Sequence, residues 1–212
     1  MPSGLNPQNY TVQYIAGDYV IAPAEKLLVK LGNNTTAYGT APSYATATAA
    51  YLKLDNTIIS GVPLTAFGNS ISINDGLGST AAFTVNAITP NPQPNNCSNA
   101  TCTSVSGNLV VGNYAVGSGT PTVTGSNFNS IIVVGGLNVT PKQLSYADLG
   151  ITGVTKVYDG SVSLSGLAIT ATTGFVAGDA ISAAATGTFT SKNVGSSIAY
   201  NIGVVFSGAD RL

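Results

Sequence analysis

A stretch of fifteen residues occurs twice in this chain. Residues 9–23 (NYTVQYIAGDYVIAP) return without a gap as residues 127–141 (NFNSIIVVGGLNVTP). Asn, Gly and Pro recur at matching positions, and five further positions stay apolar: Tyr10/Phe128, Tyr14/Ile132, Ile15/Val133, Tyr19/Leu137 and Ile21/Val139. An apolar run, a glycine at a bend and a second apolar run ending in proline predict a β-hairpin that closes a module.

Composition favours a protein that works outside the cell. Only 7% of the residues are charged, against about 25% in an ordinary soluble protein. With a net charge of −1, the chain lacks the excess of positive charge that binds nucleic acid, so we expect no nucleic-acid partner. No apolar run approaches the roughly 20 residues of a membrane helix, so we expect no membrane insertion. Since no signal peptide is present, we interpret the chain as a piece of a longer protein.

Short β-branched runs broken by Gly, Asn, Asp or Pro dominate the chain and predict an all-β fold. Residues 41–54 contain enough alanine for a helix but fit a strand equally well. A loop is expected at residues 33–42. The predicted strands are residues 26–31, 70–73, 81–88, 108–116, 120–124, 153–158, 162–170, 180–190 and 198–206. We expect small β-sandwich or β-sheet modules in an elongated tandem array.

The repeat divides the chain into three parts. Residues 24–141 form a complete predicted module, and residues 142–212 form a second one that lacks a closing hairpin. Residues 1–23 are then the closing hairpin of a neighbouring module. We therefore predict that the hairpin adds to the second module of an adjacent unit by strand addition. The connector residues are Asn9, Tyr10, Val12, Tyr14, Gly17, Tyr19 and Ile21.

Two segments resemble known bacterial surface modules. AYGTAP at residues 37–42, followed by alternating strands and closed by the Gly-centred hairpin that ends in VTP, resembles an MBG domain of the YGX type. KVYDGSVSLSG at residues 156–166, followed by GD, FTSKNVG and FSGAD, resembles a YDG domain. The motif residues are Tyr38, Gly39, Tyr158, Asp159 and Gly160.

The resemblance implies a role and a location. Such modules occur in tandem in large secreted bacterial adhesins of the filamentous-haemagglutinin kind, many of them exported by two-partner secretion. The chain is therefore expected at the bacterial cell surface or in an extracellular filament, in cell adhesion and biofilm formation. The expected partners are neighbouring copies of the same repeat or protein.

The sequence contains few of the residue types that catalysis commonly uses. There is no His, and Glu25 is the only Glu, so a Ser-His-Asp arrangement is impossible. Most aspartates stand beside Gly in turn contexts, where they bind nearby backbone N–H groups. Tyr10, Tyr38 and Tyr158 are candidate sugar platforms, although packing roles are more common for tyrosine. We expect no enzyme, no metal and no cofactor.

The polar segment at residues 89–106 carries both cysteines. Without His or further Cys, a zinc site is excluded, so Cys97 and Cys102 predict a local disulfide in an oxidising compartment. The alternative is two free thiols that form no disulfide and have no function. Asn99 is the most accessible candidate for glycosylation. As an alternative function, this loop would bind a surface glycan or a host receptor.

Overall fold

The fold is all-β, as predicted. The computed structural model describes residues 21–88, 102–151, 154–167, 169 and 173–210. These ranges contain twelve strands, one 3-10 helix at Ala147–Leu149 and no α-helix. The strands are β1 (Lys26–Ala37), β2 (Thr48–Leu52), β3 (Ile58–Val62), β4 (Leu64–Phe67), β5 (Ser70–Asn74), β6 (Thr80–Ile88), β7 (Gly112–Ser118), β8 (Thr122–Thr124), β9 (Ile131–Thr140), β10 (Ser163–Leu167), β11 (Ser182–Phe189) and β12 (Tyr200–Ser207). No helix in the described part of the chain has the length and apolarity to cross a membrane.

The first nine strands form one strongly curved sheet. Its strand order is β3-β2-β1-β9-β7-β6-β5-β4, and β8 pairs with β6. The two outermost strands, β3 and β4, are separated in the chain only by Pro63. The sheet therefore curls until its two edges meet at this proline, which gives a nearly closed barrel.

Strand β9 corrects the hairpin prediction for residues 127–141. Residues Ile131–Thr140 form one continuous strand with no turn at Gly135. This strand lies between β1, with which it pairs in parallel, and β7, with which it pairs antiparallel. The second copy of the repeated sequence thus contains a central strand of the sheet. The first copy, residues 9–23, lies outside the described residues except for its last three.

Gly135 is needed because of a bulge in the neighbouring strand. The pairing of β1 with β9 shifts by one residue between Lys30 and Gly32, so Leu31 is the extra residue. A Cβ atom at Gly135 would lie 2.8 Å from the backbone oxygen of Gly32 and 2.9 Å from Cβ of Leu31. Only glycine lets the two backbones approach this closely.

Alternation along the strands fills the interior of the first sheet. In β6, Phe83 and Val85 are buried on one face, and so is Ala81. In β5 the same holds for Ile71 and Ile73. Eighteen buried side chains form this core among the described residues. Burial of that many apolar groups is the main stabilising term of the first sheet.

The second sheet is smaller and less well covered. Strands β10, β11 and β12 pair antiparallel in that order. Within the described residues, its apolar cluster contains only three buried side chains, Leu149, Ile151 and Ala185. The others are half-buried: Leu144, Leu167, Ile169, Phe175, Ile202, Val204 and Phe206. One side of this cluster is therefore incompletely shielded from water.

Three local predictions were wrong or incomplete. Strand β1 continues to Ala37, so the first half of the loop expected at residues 33–42 is a strand. Residues 41–54, for which helix and strand were both open, contain strand β2. Residues 154–158 were expected in a strand, but they form none. In each case the pairing partner, which the local sequence does not specify, determines the outcome.

Candidate strand-addition site

The outer edge of β12 is open. Strand β12 pairs with β11 along its whole length, from Ser182 opposite Ser207 to Phe189 opposite Tyr200. On its other side, no strand of the described chain pairs with it. An unpaired edge presents a row of backbone donors and acceptors to any extended chain.

The pairing of β12 with β11 shows which backbone groups of β12 face away from the sheet. The backbone N–H of Thr190 donates to the carbonyl of Ala199 over 2.9 Å, which fixes the alternation of hydrogen-bonded pairs in this antiparallel ladder. The backbone groups at positions 200, 202, 204 and 206 therefore face away from β11. Consistent with this, the carbonyl of Ile202 accepts a 3.2 Å hydrogen bond from the hydroxyl of Tyr146.

A groove of about 260 Å³ runs beside this edge. Its lining residues are Lys142, Leu144, Ser145, Tyr146, Leu149, Val204 and Phe206. The wall opposite β12 is held in place by Asp148, whose carboxylate accepts 2.7 Å hydrogen bonds from both the backbone N–H and the hydroxyl of Ser145. These hydrogen bonds keep the pKa of Asp148 below its usual range.

The other edge of the second sheet, at β10, is partly capped by a lysine. The ammonium group of Lys156 donates to the carbonyl of Ser163 in β10 over 2.7 Å. It also binds Ser161 and forms a 2.8 Å ion pair with Asp159. The hydrogen bond from Lys156 is the first cause of the lowering of the Asp159 pKa to about 2. A lysine that lies beside an edge strand hinders pairing there, so β12 is the more accessible of the two edges.

Two aspartates join the second sheet to the first. The Asp179 carboxylate accepts a 2.8 Å hydrogen bond from the Tyr38 hydroxyl and a further one from the Ser106 hydroxyl. Asp210, which is buried, accepts from the backbone N–H groups of Val105 at 2.8 Å and Ala180 at 2.6 Å. A cavity of about 210 Å³ lies at this junction. Each carboxylate bridges the two sheets.

The predicted site residues fall into three groups. The connector residues Asn9, Tyr10, Val12, Tyr14, Gly17 and Tyr19 lie outside the described residues. Ile21 is described and 84% exposed. Tyr38 and Gly39 lie at the junction, whereas Tyr158, Asp159 and Gly160 lie at the far end of the second sheet. There Tyr158 is exposed.

The cysteine loop is described only in part. Cys97 and Asn99 lie outside the described residues, whereas Cys102 is fully buried. The disulfide and the glycosylation therefore stay predictions. The described residues that follow Cys102 dock on the second sheet through Val105 and Ser106.

Sequence reasoning missed the junction. Asp179 was interpreted as a turn former and Asp210 only as part of the FSGAD motif, yet both carboxylates bind groups on the side of the first sheet. The only available signal was that both belong to the GD and FSGAD motifs of the family resemblance. Their bonding partners on the side of the first sheet lie 73 to 141 residues away in the chain, which the local pattern does not reveal.

Comparison with known proteins supports one of the two resemblances. The family model of the YDG domain matches residues 140–211. The match covers the second sheet and the segment that leads into it. No curated protein and no solved structure matches the chain.

Proposed function

We propose that this chain is a structural unit of a secreted bacterial surface adhesin or extracellular filament. In this role, residues 9–23 of one unit add as a strand to the outer edge of β12 in the next unit. The observation that carries the proposal is the open β12 edge, which borders a groove and half-buried apolar side chains.

The first sheet provides an internal precedent for such a strand. Strand β9 carries the second copy of the repeated sequence and pairs antiparallel with β7, with Leu137 opposite Tyr114 and Val139 opposite Gly112. The matching residues of the first copy are Tyr19 and Ile21. A segment with this pattern suits a place beside an antiparallel edge strand such as β12. A single added strand replaces the hairpin in this proposal.

Burial of the exposed edge is the driving force. Ile202, Val204 and Phe206 are half-buried and pack on the small second core. An added strand would cover them and would pair the outward backbone groups of β12. Association through β-strand addition combines main-chain hydrogen bonds with pockets for alternate side chains. It also removes an edge that would otherwise promote aggregation.

Composition supports an extracellular structural role. The described residues contain no cluster of three or more His, Cys, Asp or Glu side chains, and 7% charge across the chain is unusually low. Repeat modules of this kind gain strength from many backbone hydrogen bonds that must break together.

A peptide competition tests the proposal on the full chain. A synthetic peptide of residues 9–23 would occupy the β12 edge, and its scrambled version serves as the control. We expect the native peptide to bind and to shorten assemblies seen by mass photometry, while the scrambled peptide does neither. Equal behaviour of the two peptides would refute strand addition.

A further inference from the structure

Two glycines with the same backbone conformation have different surroundings. Gly39 and Gly160 both have φ of +77° and both closely follow a motif tyrosine. A Cβ atom on Gly39 would lie 2.3 Å from Cγ2 of Val176, which belongs to the second sheet's side of the junction. At Gly160, nothing lies within 4 Å of such an atom. The first turn is covered by the next sheet, and the second turn is uncovered.

The uncovered turn lies in an apolar end of the molecule. We define the rear end as the end of the second sheet where β12 begins, with the exposed side chains Val157, Tyr158, Val162, Val194 and Tyr200. Val157 and Val194 are each 86% exposed. A groove of about 500 Å³ lies there, lined in part by Lys156 and Lys192.

A second apolar end lies where β1 and β9 begin. We define this front end by its exposed side chains Ile21, Leu54, Ile58, Ile59 and Leu77. Leu54 is 84% exposed and Leu77 is 78% exposed. A groove of about 680 Å³ crosses the front end, and its charged lining residues are Glu25, Lys53 and Asp55. Clustered exposed apolar side chains of this kind mark interaction surfaces.

The two ends have complementary charge. The rear groove is lined by two ammonium groups, of which Lys156 is paired with Asp159 while Lys192 is exposed. The front groove has two carboxylates against one ammonium group. Opposite net charge steers two apolar patches together and fixes their register.

We infer that the rear end of one copy docks on the front end of a second copy of this chain. An apolar side chain of the front end then covers Gly160, as Val176 covers Gly39. This contact is head-to-tail, so it extends into a filament unless the rotation closes a ring.

The inference rests on the proposed strand addition, which brings the same two ends together. An added strand antiparallel to β12 runs towards Tyr200, so its last residues leave the sheet at the rear end. Residue 21, which ends that segment, belongs to the front end of the donating copy. An added strand in this direction would therefore place the front end of the donating copy next to the rear end of the accepting copy.

Surface variants of the full chain test the docking. Leu54→Asp with Leu77→Asp alters the front end, and Val157→Asp with Val194→Asp alters the rear end. Phe67→Asp is the matched control, because Phe67 is 87% exposed and lines neither groove. We expect each end variant to weaken self-association by about tenfold or more. The control should associate like the wild type.

A charge exchange adds a second readout. Lys192→Glu is expected to weaken association, and the double variant Lys192→Glu with Glu25→Lys is expected to restore it. End variants that associate like the Phe67→Asp control would overturn the docking.

The peptide of residues 9–23 separates the two proposals. Binding of this peptide reports strand addition alone. If the peptide binds and the end variants self-associate like the wild type, only the docking is refuted. Conversely, if the end variants self-associate more weakly but the peptide does not bind, only strand addition is refuted.

Discussion

The hydroxyl of Tyr51 in β2 donates a 2.6 Å hydrogen bond to the carboxylate of Asp75, in the turn between β5 and β6. The same oxygen accepts a 2.8 Å bond from the Asn127 side chain. The other carboxylate oxygen accepts from the backbone N–H groups of Leu77 and Ser79. Burial alone would raise the pKa of Asp75, but these four bonds outweigh it and hold the pKa well below its usual range. Burial, followed by the bond to Asp75, raises the pKa of Tyr51 to about 12.

Replacing this carboxylate should destabilise the first sheet. In Asp75→Asn, an NH2 group takes the place of one acceptor oxygen, so at least one buried donor loses its partner. We expect a loss of about 2–3 kcal/mol, seen as a fall in Tm of roughly 5–10 °C. Asp55→Asn is the control, because Asp55 is exposed and accepts only from the following turn. Similar losses in both variants would argue against the Asp75 network.

The same carboxylate should make stability depend on pH. Its pKa is lower in the folded state than the unfolded value of about 3.9. The stabilisation is therefore complete above about pH 5 and is lost as the pH falls through the unfolded value towards the folded one. We expect the Tm difference between wild type and Asp75→Asn to shrink below about pH 4. A constant difference down to about pH 3 would contradict this.

Gly135 should tolerate no side chain. A Cβ atom there meets the backbone oxygen of Gly32 at 2.8 Å, and that backbone cannot move without disturbing β1. We expect Gly135→Ala to cost about 1–3 kcal/mol in chemical denaturation. Gly203→Ala in β12 is the matched control, because nothing lies within 4 Å of its Cβ position. That variant should be neutral or stabilising by up to about 1 kcal/mol.

The junction between the sheets should loosen when Asp210 changes. In Asp210→Asn, the amide group faces the N–H of either Val105 or Ala180, which then loses its acceptor. We expect faster hydrogen exchange at one or both of these amides and a cost of about 1–3 kcal/mol. Asp159→Asn at the exposed rear end is the control. Unchanged exchange at both amides would show that the carboxylate does not fasten the junction.

Much of the fold was accessible to sequence reasoning because strands alternate. The expected strands at residues 70–73, 81–88 and 198–206 correspond closely to β5, β6 and β12. Phe83 and Val85 share a buried face, as their spacing predicts. The Asp159-Gly160 signal predicts a hairpin turn, and Gly160 does have a positive φ, but no hairpin forms because residues 154–158 form no strand. These features depend on neighbours in sequence.

Long-range pairing was not accessible. Strand β9 lies parallel to β1, with Val133 opposite Val29. Because about a hundred residues separate the two strands in the chain, the local sequence does not show that they pair. The glycine in the repeat was therefore interpreted as a bend, whereas Gly135 allows a close approach of two backbones. Likewise, Asp179 looks like a turn residue and Asp210 like a part of the FSGAD motif until the first sheet supplies their donors.

Strand addition is tested most directly by mixing two variants, one blocked in the connector and the other at the β12 edge. Val12→Pro with Tyr14→Pro removes backbone donors from the connector, and Val204→Pro removes an outward donor from β12 while sparing the side that pairs with β11. Each variant alone should stay monomeric in mass photometry, while the wild type forms longer assemblies. An equimolar mixture should give dimers that do not extend, because one intact connector meets one intact edge. Assemblies of wild-type length from either variant alone, or no dimers in the mixture, would contradict strand addition.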